Sequence, residues 1–74
     1  MRLFRHVYRF ATITMLKSSL DAEKFAEYWL QHYEYKDFSE FGEFFRFATC
    51  TMLKSRQDAE EFAFSKIGPP DVRI

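Results

Sequence analysis

Glycine and proline are nearly missing from this chain. There are two of each in 74 residues, and all four lie at or beyond Gly42. That leaves no glycine-rich loop to cradle a phosphate and no low-complexity linker. One cysteine, Cys50, rules out an internal disulfide and predicts a reducing, cytoplasmic setting. With only His6 and His32 beside it, no spacing resembles a metal site, so no metal or other cofactor is expected. No apolar run approaches the roughly 20 residues of a membrane span. The opening MRLFRHVYRF is basic, but no uninterrupted apolar stretch follows, so it makes a poor signal peptide. Nor is there an excess of either charge: eleven basic side chains balance eleven acidic ones. A global basic field of the kind that drives nucleic-acid binding is absent.

What is present is typical of a globular chain. Hydrophobic residues make up 47% of it and aromatic residues 20%. The length fits a single domain, residues 1–74, with a modest core, and chains of this size often gain stability by associating. The balanced charge is unevenly placed. Residues 1–20 carry four bases and no acid, whereas residues 21–43 carry seven acids and two lysines.

The chain says one phrase twice. FATITMLKSSLDAEKFA at 10–26 returns as FATCTMLKSRQDAEEFA at 47–63, with thirteen of seventeen positions identical at an offset of 37. The repeat divides the domain into halves of approximately 1–37 and 38–74. The match covers expected core and surface positions alike, Phe25/Phe62 as well as Lys17/Lys54, which fits duplication of a folding unit.

Two secondary structures compete for the first part of each copy. Phe4, Tyr8, Ala11 and Met15 follow helical spacing, as do Phe41, Phe45, Ala48 and Met52, and would give tandem helix hairpins in an all-α chain. The pairs Thr12/Thr14 and Thr49/Thr51, set among aromatic residues, favour strands. Ser18 and Ser55, each followed three residues later by an aspartate, signal helix starts. Helices are predicted from about Ser19 to His32 and from about Arg56 to Ile67. Gly68 with Pro69 and Pro70 stops the second. Strand candidates before and after each helix, ending with 71–74, give the order βαββαβ. The preferred expectation is therefore an α+β, ferredoxin-like split βαβ plait built from two similar halves.

In that plait, side-chain alternation puts Arg9, Ala11, Ile13 and Met15 with Arg46, Ala48, Cys50 and Met52 on the open sheet face. An apolar patch there reads as an interface. The expected function is a small non-enzymatic protein-interaction module, a homodimeric regulator or inhibitor that works by binding a protein partner. Two alternatives stand beside it. One is RNA binding through the basic and aromatic residues Arg2, Arg5, Tyr8, Arg9 and Arg46. The other is a dimeric small-molecule or enzyme site on an open-sheet barrel. No acid–base pair or nucleophile stands out, so no catalytic residue is assigned. Cys50 takes the place of Ile13 in the second copy and reads as a small apolar residue.

Overall fold

The N-terminal segment already carries both faces of a helix: Val7 and Ala11 on one side, Arg5 and Arg9 on the other. A computed structural model describes residues 2–68, and in it this segment is helical. The elements in chain order are α1 (Arg2–Arg9), continued by a π-helical turn (Phe10–Thr14), then α2 (Ser19–His32), α3 (Tyr35–Cys50) and α4 (Arg56–Ile67). Among the described residues there is no strand. The ferredoxin-like plait is thereby overturned, and the tandem helix-hairpin alternative is the architecture found. The last strand candidate, 71–74, lies outside the described residues.

The threonines explain why the strand expectation failed. Thr12 Oγ1 donates to the carbonyls of Tyr8 and Arg9, each at 3.1 Å. Thr49 Oγ1 does the same to Phe45 and Arg46 at 3.2 Å. A threonine that bonds back onto its own helix satisfies its hydroxyl there, which offsets its weak intrinsic preference. The aromatic residues likewise pair along helices: Phe38–Phe41 and Phe41–Phe45 are stacked on α3, with centroids 5.8 and 6.3 Å apart. The place of the strand candidate after the first predicted helix is taken by a two-residue break, Tyr33 and Glu34, and the start of α3.

The helix-start signals perform as their chemistry requires. Ser18 Oγ accepts from the Asp21 N–H at 3.2 Å, and Ser55 Oγ from the Asp58 N–H at 3.1 Å. Each aspartate also stands in the first turn, where the helix dipole favours a negative charge. Both helices occupy the predicted spans. Gly68, with φ of 85°, closes α4, and its N–H reaches the Phe64 carbonyl at 3.0 Å.

The turn before each capped helix is built the same way twice. The Met15 N–H reaches back five residues to Phe10, and Met52 to Phe47. Leu16 and Leu53 then adopt left-handed backbone, both with φ of 58°. Lys17 and Lys54 close the turn on the carbonyls of Ala11 and Ala48, both at 2.9 Å. That last bond spans one residue more than in the usual left-handed helix cap, because the turn before it is already widened to π geometry.

The chain divides into two compact units, Met1–Glu34 and Tyr35–Ile74. In the first, α1 packs on α2; in the second, α3 packs on α4. Three pairs of repeated alanines, Ala11/Ala48, Ala22/Ala59 and Ala26/Ala63, have no exposed surface. Small side chains at these places suit the close approach of paired helices. In unit 1 the largest fully buried side chain is Trp29, which stacks on Tyr33 at 4.3 Å and sends its Nε1–H to the Glu34 carbonyl. In unit 2 the buried aromatics are Phe38, Phe41 and Phe45, with Phe64 of α4 set against Phe41 at 4.8 Å.

Candidate functional site

The eight residues assigned to an open sheet face do not share a face once the chain is helical. Ala11, Met15 and Ala48 are buried, whereas Arg9, Ile13, Arg46, Cys50 and Met52 are exposed. Period-two alternation grouped them, and helical period separates them. Among the described residues there is no sheet from which to form the open-sheet barrel that would have housed a small-molecule site. Among the described residues, no group of histidine, cysteine and acidic side chains stands close enough to hold a metal ion. Cys50 is exposed at the end of α3, with the Thr49 hydroxyl 3.8 Å from its sulfur.

The basic set fares differently. Arg2, Arg5 and Arg9 fall at spacings of three and four on α1, which is one helical stripe. Arg5 and Arg9 are exposed and Tyr8 is half-buried, its ring stacked with Phe4 at 6.2 Å. Arg46 stands on α3, in the other unit. Of the residues named for RNA binding, Arg2, Arg5, Tyr8 and Arg9 thus belong to α1, and Arg46 belongs to the other unit. Acids follow on the next helix: Asp21, Glu23 and Glu27 are all exposed on α2, with Lys24 the one exposed base among them before His32.

The other notable surface is apolar and surrounds the helix turns. Ile13, Leu16 and Leu20 flank the first turn and are 63%, 60% and 60% exposed. Leu53 at the second turn is 82% exposed, with Phe47 and Met52 nearby in sequence and also exposed. A left-handed leucine is disfavoured sterically, and an exposed one gains no burial in return. Sequence reasoning reached Ile13 and Met52 but missed Leu16, Leu20 and Leu53, because leucine signals neither its own exposure nor left-handed backbone.

The two copies also differ in an orderly way. The four pairs that depart from identity in the repeated phrase are Ile13/Cys50, Ser19/Arg56, Leu20/Gln57 and Lys24/Glu61. All eight residues are exposed. The phrase therefore keeps its internal residues and changes only its outer surface.

Comparison with protein-family models, with curated proteins and with solved structures finds no match to this chain. No helix among the described residues is long and apolar enough to cross a membrane.

Proposed function

We propose that this protein is a small helical interaction module that acts by binding another protein and carries out no chemistry of its own. The observation that carries this reading is the exposed apolar set at the first turn, Ile13, Leu16 and Leu20. Burying three such side chains against a partner is favourable by several kcal/mol, at about 1.5–3 kcal/mol for each full burial. The regulator or inhibitor role fits a protein whose outer surface is its working part. The test compares the wild type with an Ile13→Ser/Leu16→Asn/Leu20→Ser variant. All three sites are exposed, so the helical circular dichroism spectrum should stay unchanged. Proteins recovered by affinity purification from the native cells, further copies of this chain included, should be enriched by the wild type and lost with the variant. If nothing recovered depends on these three side chains, the reading fails.

A second reading, binding of single-stranded RNA, is favoured by the arginine stripe on α1. Titration of labelled RNA should then show affinity that falls steeply with salt. Salt-independent or absent binding removes it.

A further inference from the structure

Exposed apolar bulk collects at the two helix turns. Among the described residues, the large apolar side chains left in water are Ile13, Leu16 and Leu20 around the first turn, Phe47, Met52 and Leu53 around the second, and otherwise Tyr28 and Tyr35. The second turn shows residues that the first one hides. Phe10 and Met15 are buried, whereas their counterparts Phe47 and Met52 are exposed, and Leu53 is the most exposed of the set. The second turn is also the more basic. Residues 46–57 carry Arg46, Lys54 and Arg56 and no acid, and Arg56 stands where the first copy has Ser19. Arg46 and Arg56 are exposed, and Lys54 is half-buried.

Backbone bonds draw these residues to one end of the α3–α4 hairpin. The Phe47 carbonyl accepts from the N–H groups of Thr51 and Met52, at 2.9 and 3.1 Å, and the Ala48 carbonyl from the Lys54 N–H at 2.9 Å. Arg56 opens α4 directly after the Ser55 cap. Arg46 lies four residues from the end of α3, about 6 Å along its axis. The hairpin therefore ends in an apolar tip at Met52 and Leu53, with Phe47 and three bases set close behind it.

We infer that this tip docks the protein on an anionic membrane surface, a function separate from partner binding at the first turn. Met52, Leu53 and Phe47 enter the boundary between headgroups and acyl chains, and Arg46, Lys54 and Arg56 take the lipid phosphates and carboxylates. Apolar side chains of surface-bound elements sit about 5–10 Å into that boundary, a depth that matches the setback of Arg46. An end-on approach asks for no common face around α3, because side chains on every side of the hairpin end reach the surface. Apolar burial and the attraction of each base to the surface add together. Asp58 is the nearest acid after the turn. It stands in the first turn of α4, where the helix dipole partly offsets its charge. Glu60 and Glu61 follow farther from the tip.

Charge and layering favour this occupant over others. A nucleic acid would satisfy the bases, but it binds by stacking on rings, and Phe47 is the one ring in the exposed apolar set; Met52 and Leu53 would stay in water. A second copy of the same tip would set base against base. An anionic bilayer presents acid outside and hydrocarbon beneath, the order in which the tip carries its bases and its apolar residues.

Flotation of the full chain with vesicles tests the docking. Vesicles of phosphatidylcholine and phosphatidylserine in a two-to-one ratio should carry the protein upward, and phosphatidylcholine alone should not. Phe47→Ser/Leu53→Asn should weaken binding to the mixed vesicles by about 30-fold. Arg46→Gln/Arg56→Gln should weaken it by about fivefold for each base removed. Should the first variant lose its helical spectrum, Leu53→Asn alone suits the left-handed backbone and should weaken binding by about fivefold. Ile13→Ser/Leu16→Asn/Leu20→Ser should float as the wild type does. Cys50, the one cysteine and exposed at the end of α3, accepts a nitrobenzoxadiazole label. Its emission should brighten and shift to the blue on the mixed vesicles, and soluble glycerophosphoserine should not reproduce the change.

Five results overturn the inference: no flotation with the mixed vesicles, equal flotation with the neutral ones, second-turn variants that float as the wild type does, loss of flotation in the first-turn variant, or a label that does not respond on floated protein. Salt-sensitive RNA binding lost on Arg46→Gln/Arg56→Gln, without flotation, overturns it in favour of a polyanion. Capture of a protein through Phe47 and Leu53, again without flotation, overturns it in favour of a second protein site. None of these touches partner capture through Ile13, Leu16 and Leu20, which stands or falls on its own variant.

Discussion

The two units repeat one phrase but have different interiors. Trp29 is the largest buried side chain of unit 1, and its counterpart in unit 2 is Lys66, which is exposed. Unit 2 instead has Phe41 against Phe64, whose counterparts in unit 1 are the half-buried Phe4 and the exposed Glu27. Phe10 is buried with 8% exposure, yet Phe47 is 51% exposed; Met15 is buried, yet Met52 is exposed. Even the base over the repeated phenylalanine differs. Lys17 reaches Phe25 from the turn at 5.4 Å, and Lys66 reaches Phe62 from within its own helix at 5.3 Å. Identity of local sequence has fixed the turn and the caps. It has not fixed which large side chains are buried, because that depends on residues outside the phrase.

The comparison can be broken most sharply at Trp29. Trp29→Ala should cost about 3–5 kcal/mol in urea denaturation, and Lys66→Ala about 0.5 kcal/mol or less. Equal losses would mean that the two interiors do not differ as described. Next comes the pair Phe10 and Phe47, where truncation to alanine should cost about 3 kcal/mol and about 1 kcal/mol respectively, following the surface each buries. The caps sharpen the same point from the other side. Ser18→Ala and Ser55→Ala should each cost about 1 kcal/mol, and the two losses should agree, since the capping bonds are alike. A clear inequality would show that context governs the caps too.

Glycine at either left-handed leucine should stabilise its unit by about 0.5–1 kcal/mol, the steric relief exceeding the added freedom of the unfolded chain. In unit 1 the same change removes an exposed apolar side chain, so thermal stability and partner capture should move in opposite senses for Leu16→Gly. Smallest is Lys24→Glu, which copies Glu61 of unit 2. Both positions are exposed, so it should change stability by no more than about 0.5 kcal/mol in urea denaturation.

Much of this architecture was legible in the sequence. Ser18 and Ser55 with their aspartates marked two helix starts, and Gly68 marked one end. The helical spacing of Phe41, Phe45 and Ala48 was visible as well. It lost to Thr12, Thr14, Thr49 and Thr51, read as strand formers, because back-bonding to the preceding turn cannot be seen until the turn exists. The break at Tyr33 and Glu34 carries no glycine or proline to announce it. The candidate surface was legible only in part. Arg9 and Ile13 were singled out, but with the wrong neighbours, because a period of two joins residues that a helix separates. Leu16 and Leu20 gave no signal, since exposure of a leucine follows from geometry that the leucine itself does not encode.

Leu16 has one more consequence. The linking residues Met15–Leu16–Lys17–Ser18 include no glycine and no proline, so no stereochemical rule forbids them from continuing as helix. The bend costs about 1–2 kcal/mol in the leucine backbone, offset by the serine cap and by packing. If packing is weakened while helix is favoured, the cheapest response is to straighten. Residues 2–32 would then form a single rod about 46 Å long, and two such rods could exchange their halves between copies. In dilute trifluoroethanol the distance between labels placed at residues 5 and 31 should lengthen, and Leu16→Gly, which holds the bend, should resist it.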